Sequence, residues 1–166
     1  LQKLLNKMLN LYIQIYFMYL YRVMKKEKSP YCQCLFYASN ALARNISRLA
    51  EEEFVVTGLP PSYAYLVMTV NNQPGITAGE LAEIMMLKPS TVTRLVEKME
   101  DKELLKRMKE KRSTLIFPTK KSVELQESIK QAWMALYERY IKLLGEEQSA
   151  FLTSQVYDAA IKLEEK

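Results

Sequence analysis

The chain has 166 residues, 49% apolar and 26% charged, which excludes wholesale disorder and fits one domain with a real core. It has no histidine, which excludes the commonest general base, Ser-His and Cys-His nucleophile pairs and histidine zinc sites. The net charge is +5, and it is unevenly spread: residues 88–121 carry eleven basic and five acidic side chains, whereas 32–87 and 122–166 are each net −3.

A basic block inside an acidic body reads as an anion-binding face, with a solvated lysine-rich surface as the alternative. The two cysteines, Cys32 and Cys34, are too few for a disulfide framework or a four-thiolate metal site. No metal, no cofactor and no enzymatic activity are expected. A cytoplasmic location is the default for such cysteine usage.

In chain order, residues 1–23 are rich in Leu, Ile, Tyr and Met. Leu1, Leu4, Leu5, Met8, Leu9 and Tyr12 fit a helical stripe, while Leu11, Ile13, Ile15 and Phe17 fit strand alternation. The helix is preferred. The apolar run, broken by Asn10 and Gln14, is too short for a membrane span, and no small-residue cleavage site follows. Residues 1–30 are therefore read as an extension, helical and packed on a partner.

Residues 31–60 read as a first helix plus loop. Leu35, Ala38, Leu42, Ile46, Leu49 and Phe54 stand at helical spacing, and Gly58, Leu59, Pro60 and Pro61 follow. Ser62 is placed to cap a second helix through Tyr65, Leu66, Met68 and Val70. The cluster from Asn71 to Gly75 reads as a turn.

The informative stretch begins at Thr77, which with Glu80 has capping-box spacing. Leu81, Ala82, Ile84 and Met85 give that helix its apolar face. Pro89 then stands where a helix tolerates it best, and Val92, Leu95, Val96 and Met99 follow the next helix's inner face. Ser90, Thr91, Thr93, Arg94, Glu97 and Lys98 occupy the opposite face. Short hydroxyls and a long guanidinium near a helix start are what close approach to base edges requires. The free N–H groups of that terminus suit phosphate.

Residues 104–108 and 113–117 read as strands around a basic tip of Lys109, Glu110, Lys111 and Arg112, a wing suited to phosphate or the minor groove. A long helix follows, with Leu125, Ile129, Ala132, Leu136, Tyr140 and Leu143 as its stripe and Gly145 as its stop. A last helix carries Leu152, Val156, Ala159 and Leu163. The fold expected is mainly α with a small β-hairpin wing, a winged helix-turn-helix at 61–119 and two further helices at 120–166.

Ile76 through Arg112 resembles the winged helix-turn-helix of the multiple-antibiotic-resistance regulator (MarR) family. The resemblance rests on Pro74, Gly75, Ile76 and Thr77, on Glu80 to Glu83, on Leu87 to Arg94 and on the wing ending in Arg112. It implies a homodimeric, sequence-specific repressor of double-stranded DNA, with the N-terminal dimerisation helix of 31–60 and the C-terminal dimerisation helices of 120–166 pairing across a two-fold axis. Its recognition helices would enter successive major grooves of a pseudo-palindromic operator.

The DNA-contact residues it implies are Lys88, Pro89, Ser90, Thr91, Thr93, Arg94, Lys98, Lys109, Lys111 and Arg112. A small apolar or phenolic effector would bind between the dimer helices and the winged domain, in a pocket lined by Met and Tyr. Two departures stand out. Glu103 occupies the position where the family has a helix-capping Gly, and Glu110 that of an Asp that orients the wing Arg.

Cys34 and the residues after it are similar to the sensing-cysteine region of the organic hydroperoxide repressor branch. That likeness implies a redox alternative using Cys34, with Cys32 second. The bland alternative is two small hydrophobes packed in the first helix, where side chains two apart could not form a disulfide. Two further classes remain: a winged-helix protein-interaction module, and a peripheral membrane protein anchored by residues 1–23 with Lys25, Lys26 and Lys28. No membrane partner is expected.

Overall fold

The computed structural model describes residues 7–9, 11–16, 29–110 and 113–164. Its contacts divide the chain into two compact units, Leu1–Ile46 and Ser47–Lys166. Among the described residues, no helix is long and apolar enough to cross a membrane.

In the first unit, residues 7–9 and 11–16 are helical, so the strand alternation at Leu11, Ile13 and Ile15 is not realised. The rest of the 1–23 expectation lies outside the described residues. A turn at 30–33 precedes helix α1 (Leu35–Phe54). Cys34 carbonyl accepts the Ala38 N–H at 2.9 Å, which makes Cys34 the cap of α1. Cys32 lies in the turn, and both thiols are exposed. The expectation that the two cysteines pack within the helix is thus corrected: the chain turns at Pro30 and the helix starts only at Leu35. The apolar stripe of α1 is buried only at its end, at Leu49, Ala50 and Phe54; Leu35 is 70% exposed.

In the second unit, a short 3-10 turn (Val55–Thr57) follows α1 and ends in Gly58. Helix α2 spans Pro61–Asn72. Pro61, not Ser62, sets its start: Pro60 is the cap residue with no side-chain cap bond, and Tyr63 and Ala64 N–H groups donate to its carbonyl. The expected turn shrinks to the residues before Gly75, because Asn71 and Asn72 complete α2. There Asn71 has another task. Its amide donates to the Ser122 carbonyl at 2.9 Å and to Gln126 Oε1 at 2.7 Å, and it accepts from the buried Ser122 hydroxyl.

Gly75, at φ +88°, donates to the Ile116 carbonyl at 2.8 Å and starts a strand the sequence did not suggest, β1 (Ile76–Thr77). A Cβ at Gly75 would touch the Phe117 ring at 3.4 Å, so it is the positive φ that favours glycine here. Helix α3 (Ala78–Met85) and helix α4 (Pro89–Asp101) follow, then β2 (Leu105–Glu110) and β3 (Ser113–Pro118). The sheet is antiparallel with order β1-β3-β2, Ile76 opposite Ile116 and Arg107 also opposite Ile116. Helix α5 (Lys120–Leu144) is capped by Thr119 and stopped at Gly145, and α6 (Glu146–Glu164) completes the chain.

The core joins α2, α3, α4, the sheet and α5 through Phe54, Leu66, Leu81, Met99, Leu104, Ile116 and Ile129, all at most 2% exposed. Each such side chain contributes about 1.5–3 kcal/mol of burial. Tyr63, Tyr65, Met68, Met85 and Tyr140 pack against this core. Four members of the expected outer stripes are not covered: Leu143, Val156, Ala159 and Leu163 all stand exposed.

Candidate nucleic-acid interface

The candidate interface centres on α4. Thr77 caps α3: its hydroxyl accepts the Glu80 N–H at 3.2 Å while its own N–H donates to the Glu80 carboxylate at 2.8 Å. The Thr77 amide, and next its hydroxyl, which donates to Glu80 Oε2 at 2.7 Å, hold the Glu80 carboxyl below the usual carboxylate range. The capping box read from spacing is present. At the far end Met86 takes a left-handed conformation (φ +51°), with Leu87 N–H on Ala82 carbonyl and Met86 N–H on Glu83 carbonyl. This paired closure ends α3 and turns the chain into α4.

Lys88 is extended and Pro89 stands at the first position of α4, with no side chain capping that end. Val92, Val96 and Met99 are at most 1% exposed and fix which face points inward. Lys88, Pro89, Ser90, Thr91, Arg94 and Lys98 are left exposed. Thr93 is only half-exposed, and its hydroxyl donates to the Pro89 carbonyl at 2.9 Å, so its proton is committed within the helix. Lys98 is drawn off the tip: its ammonium lies 5.9 Å from the Tyr63 ring centroid on α2.

The wing differs from its expected outline. Pairing continues through Lys109 with Thr114 and Glu110 with Ser113, so Lys109 and Glu110 belong to β2 and not to a four-residue tip. Lys111, Arg112 and the Glu110–Arg112 pair lie outside the described residues. At the root of the wing Glu103 adopts φ +60°, the left-handed cap conformation that its place in the sequence demanded. Thr119 Oγ1 donates to the Glu103 carbonyl at 2.8 Å, and Lys121 Nζ donates to the Lys102 carbonyl at 2.8 Å. The start of α5 therefore grips the end of α4.

Sequence reasoning missed Arg107. It shares a side of β2 with buried Leu105, two residues earlier, and that alternation was the signal available. Its guanidinium lies 2.7 Å from Glu100 Oε2 and 3.7 Å from Glu97 Oε1, both on α4.

The profile of the MarR family matches residues 60–114, from the start of α2 into β3. Residues 60–114 are thus similar to the MarR family's winged helix. Over 126 residues the chain is 27% identical to the HTH-type transcriptional repressor MdtR of Bacillus subtilis, covering 72% of this chain and 81% of that one. A mutant MarR from E. coli complexed with operator DNA superposes with a TM-score of 0.69 at 15% identity, over 80% of this chain and 99% of that one. The PcaV regulator of Streptomyces coelicolor, in complex with its natural ligand, gives 0.73 at 15% identity, over 82% and 98%. The structural likenesses establish the fold. The MarR-family match falls on the winged helix, and the curated relative is named a transcriptional repressor.

Proposed function

We propose that the protein is a homodimeric, sequence-specific repressor. Its two α4 helices would enter successive major grooves of a pseudo-palindromic operator, roughly 34 Å apart. The observation that carries this is the outward face of α4, where Lys88, Pro89, Ser90, Thr91 and Arg94 stand exposed over a helix locked by Val92, Val96 and Met99. Thr93, Lys98, Lys109, Lys111 and Arg112 complete the DNA-facing set. The relative MdtR is named a transcriptional repressor, and the MarR structure holds operator DNA, which supports the same partner here.

Self-association is supported by α5 and α6. Trp133, Met134, Tyr137, Phe151, Val156 and Tyr157 are all between 47% and 60% exposed, an apolar surface suited to a second copy. A small apolar or phenolic effector that alters the spacing of the two α4 helices would release the DNA. The ligand in the PcaV structure supports an effector of some kind. A cytoplasmic location belongs to the same reading.

Selection of bound genomic fragments, then titration of the recovered duplex at two salt concentrations, tests the proposal. A repressor loses affinity steeply with salt because several phosphates are neutralised. A protein-interaction module would bind weakly with a shallow slope, and that result removes the reading. A redox-controlled version is favoured by one observation, the exposed Cys34 at the cap of α1. Cys34→Ser should keep DNA binding and abolish any peroxide response; a retained response ends that version.

A further inference from the structure

The inference rests on the DNA-binding reading and adds two residues to it. β2 is an edge strand, paired only with β3, so one row of its backbone groups has no strand neighbour. Arg107 N–H belongs to that row and donates to Glu100 Oε1 at 2.9 Å. The same carboxylate receives the Arg107 guanidinium on its other oxygen at 2.7 Å. One acid of the recognition helix therefore holds both the backbone and the side chain of one wing residue. Glu97 adds a second, longer contact at 3.7 Å.

The charges make this unusual for a DNA-facing element. Glu97 and Glu100 sit on the helix that presents Arg94 and Lys98, and an unneutralised acid there would repel phosphate. Arg107 cancels that repulsion locally. Lys106 and Lys109, its neighbours on the strand, are exposed and form no ion pair among the described residues. The basic residues of β2 thus fall into two kinds, one turned to the helix and two left to solvent.

We propose that Arg107 and Glu100 are positioning residues for DNA binding. Arg107 directs its charge to the recognition helix and not to phosphate, and the pair fixes the wing at one angle to α4. The rival assignment makes Arg107 a phosphate contact and Glu100 a bystander. The two differ in sign at Glu100. Removing a bystander acid near DNA tightens binding, whereas removing a positioning acid weakens it.

The test uses the full chain and a duplex of about 30 base pairs carrying the selected site, with hydrogen exchange on the DNA-free protein beside it. Glu100→Gln and Arg107→Gln should each weaken operator binding about five- to tenfold, with the double variant no weaker than either single one. The salt slope should stay unchanged in Arg107→Gln. In the free protein, Glu100→Ala should speed exchange at the Arg107 amide and leave Val92 and Val96 protected.

Tighter binding by Glu100→Gln, or a slope reduced by about 1 in Arg107→Gln, overturns the proposal in favour of direct phosphate contact. Unchanged Arg107 exchange in Glu100→Ala overturns it as well, because the clamp would then hold nothing. If the unmodified chain binds no duplex in a salt-dependent way, the DNA reading fails and the proposed role fails with it. The exchange arm would still report whether the clamp holds the wing.

Discussion

Arg139 on α5 forks between two acids at the end of α1: Nη2 lies 2.6 Å from Glu52 Oε2 and Nη1 2.7 Å from Glu53 Oε1. Arg48 adds a second cation to Glu52 at 2.7 Å, one helical turn back. Arg139, and then Arg48, hold the Glu52 carboxyl below the usual carboxylate range. A lowered carboxyl pKa contributes stability above its unfolded value and loses it as pH falls through the folded value. Arg139→Gln should therefore lower the melting temperature at pH 7. The gap to the unmodified protein should narrow only as pH falls beneath the ordinary carboxylate range, through the lowered value at which Glu52 is protonated. Thermal melts across pH 3–7 check this, and a gap that stays constant in acid contradicts it.

Asn71→Ala should be among the most damaging changes outside the core. It removes the acceptor of a buried hydroxyl at Ser122 and the donor to the Ser122 carbonyl. Leaving such groups unpaired costs about 1–3 kcal/mol in urea unfolding. Ser122→Ala should cost less, because the freed Asn71 carbonyl is only half-buried.

Asn71 also marks a limit of sequence reading. Its residue type, next to Asn72, Pro74 and Gly75, signals a turn, and only a partner 51 positions away turns it into a tie between helices. β1 was hidden for a similar reason. Two residues carry no periodicity, and their pairing with Ile116 and Leu115 is non-local. By contrast α3 and α4 were legible because their signals are local: the Thr77 box, Pro89, and the Val92, Val96 and Met99 spacing. The outward set on α4 followed from that inner face, except that Thr93 turned its hydroxyl to the backbone and Lys98 leaned to Tyr63. Arg107 escaped notice because a basic residue in a basic wing looks like every other one until its carboxylate partner is placed.

Tyr65 and Tyr140 should set the alkaline limit of the fold. Burial pushes both phenols above their ordinary value; for Tyr140 the charge of Tyr65 adds to it. Their contribution is complete below the unfolded phenol pKa, about 10, and is lost as pH rises through the folded values. Urea midpoints should fall above about pH 10, less steeply in Tyr65→Phe and least in the double Phe variant. An identical slope in all three would show that other groups govern the transition.

Glu103→Gly should stabilise the protein. At φ +60° the Glu103 Cβ is crowded, and glycine meets no such penalty. The ion pair it would lose, with Lys121 at 4.0 Å, is exposed and contributes little. A gain of up to about 1 kcal/mol is expected from the denaturant midpoint. Glu103→Ala keeps the crowded Cβ and should show no gain, which separates backbone relief from loss of charge.

Arg94 and Lys98 should separate base reading from phosphate contact. Arg94 is exposed beside Ser90 and Thr91 in the first half of α4, where a guanidinium reaches a base edge. Arg94→Ala should cost about 1–3 kcal/mol on the selected site and much less on random duplex, so specificity relaxes. Lys98 stands one turn further and rests over Tyr63, away from the helix tip. Lys98→Ala should weaken all duplexes alike and reduce the salt slope by about 1. Competition binding against selected and random duplex reads both effects. A sequence-selective loss at Lys98, paired with a uniform loss at Arg94, would reverse the orientation of α4 on the groove.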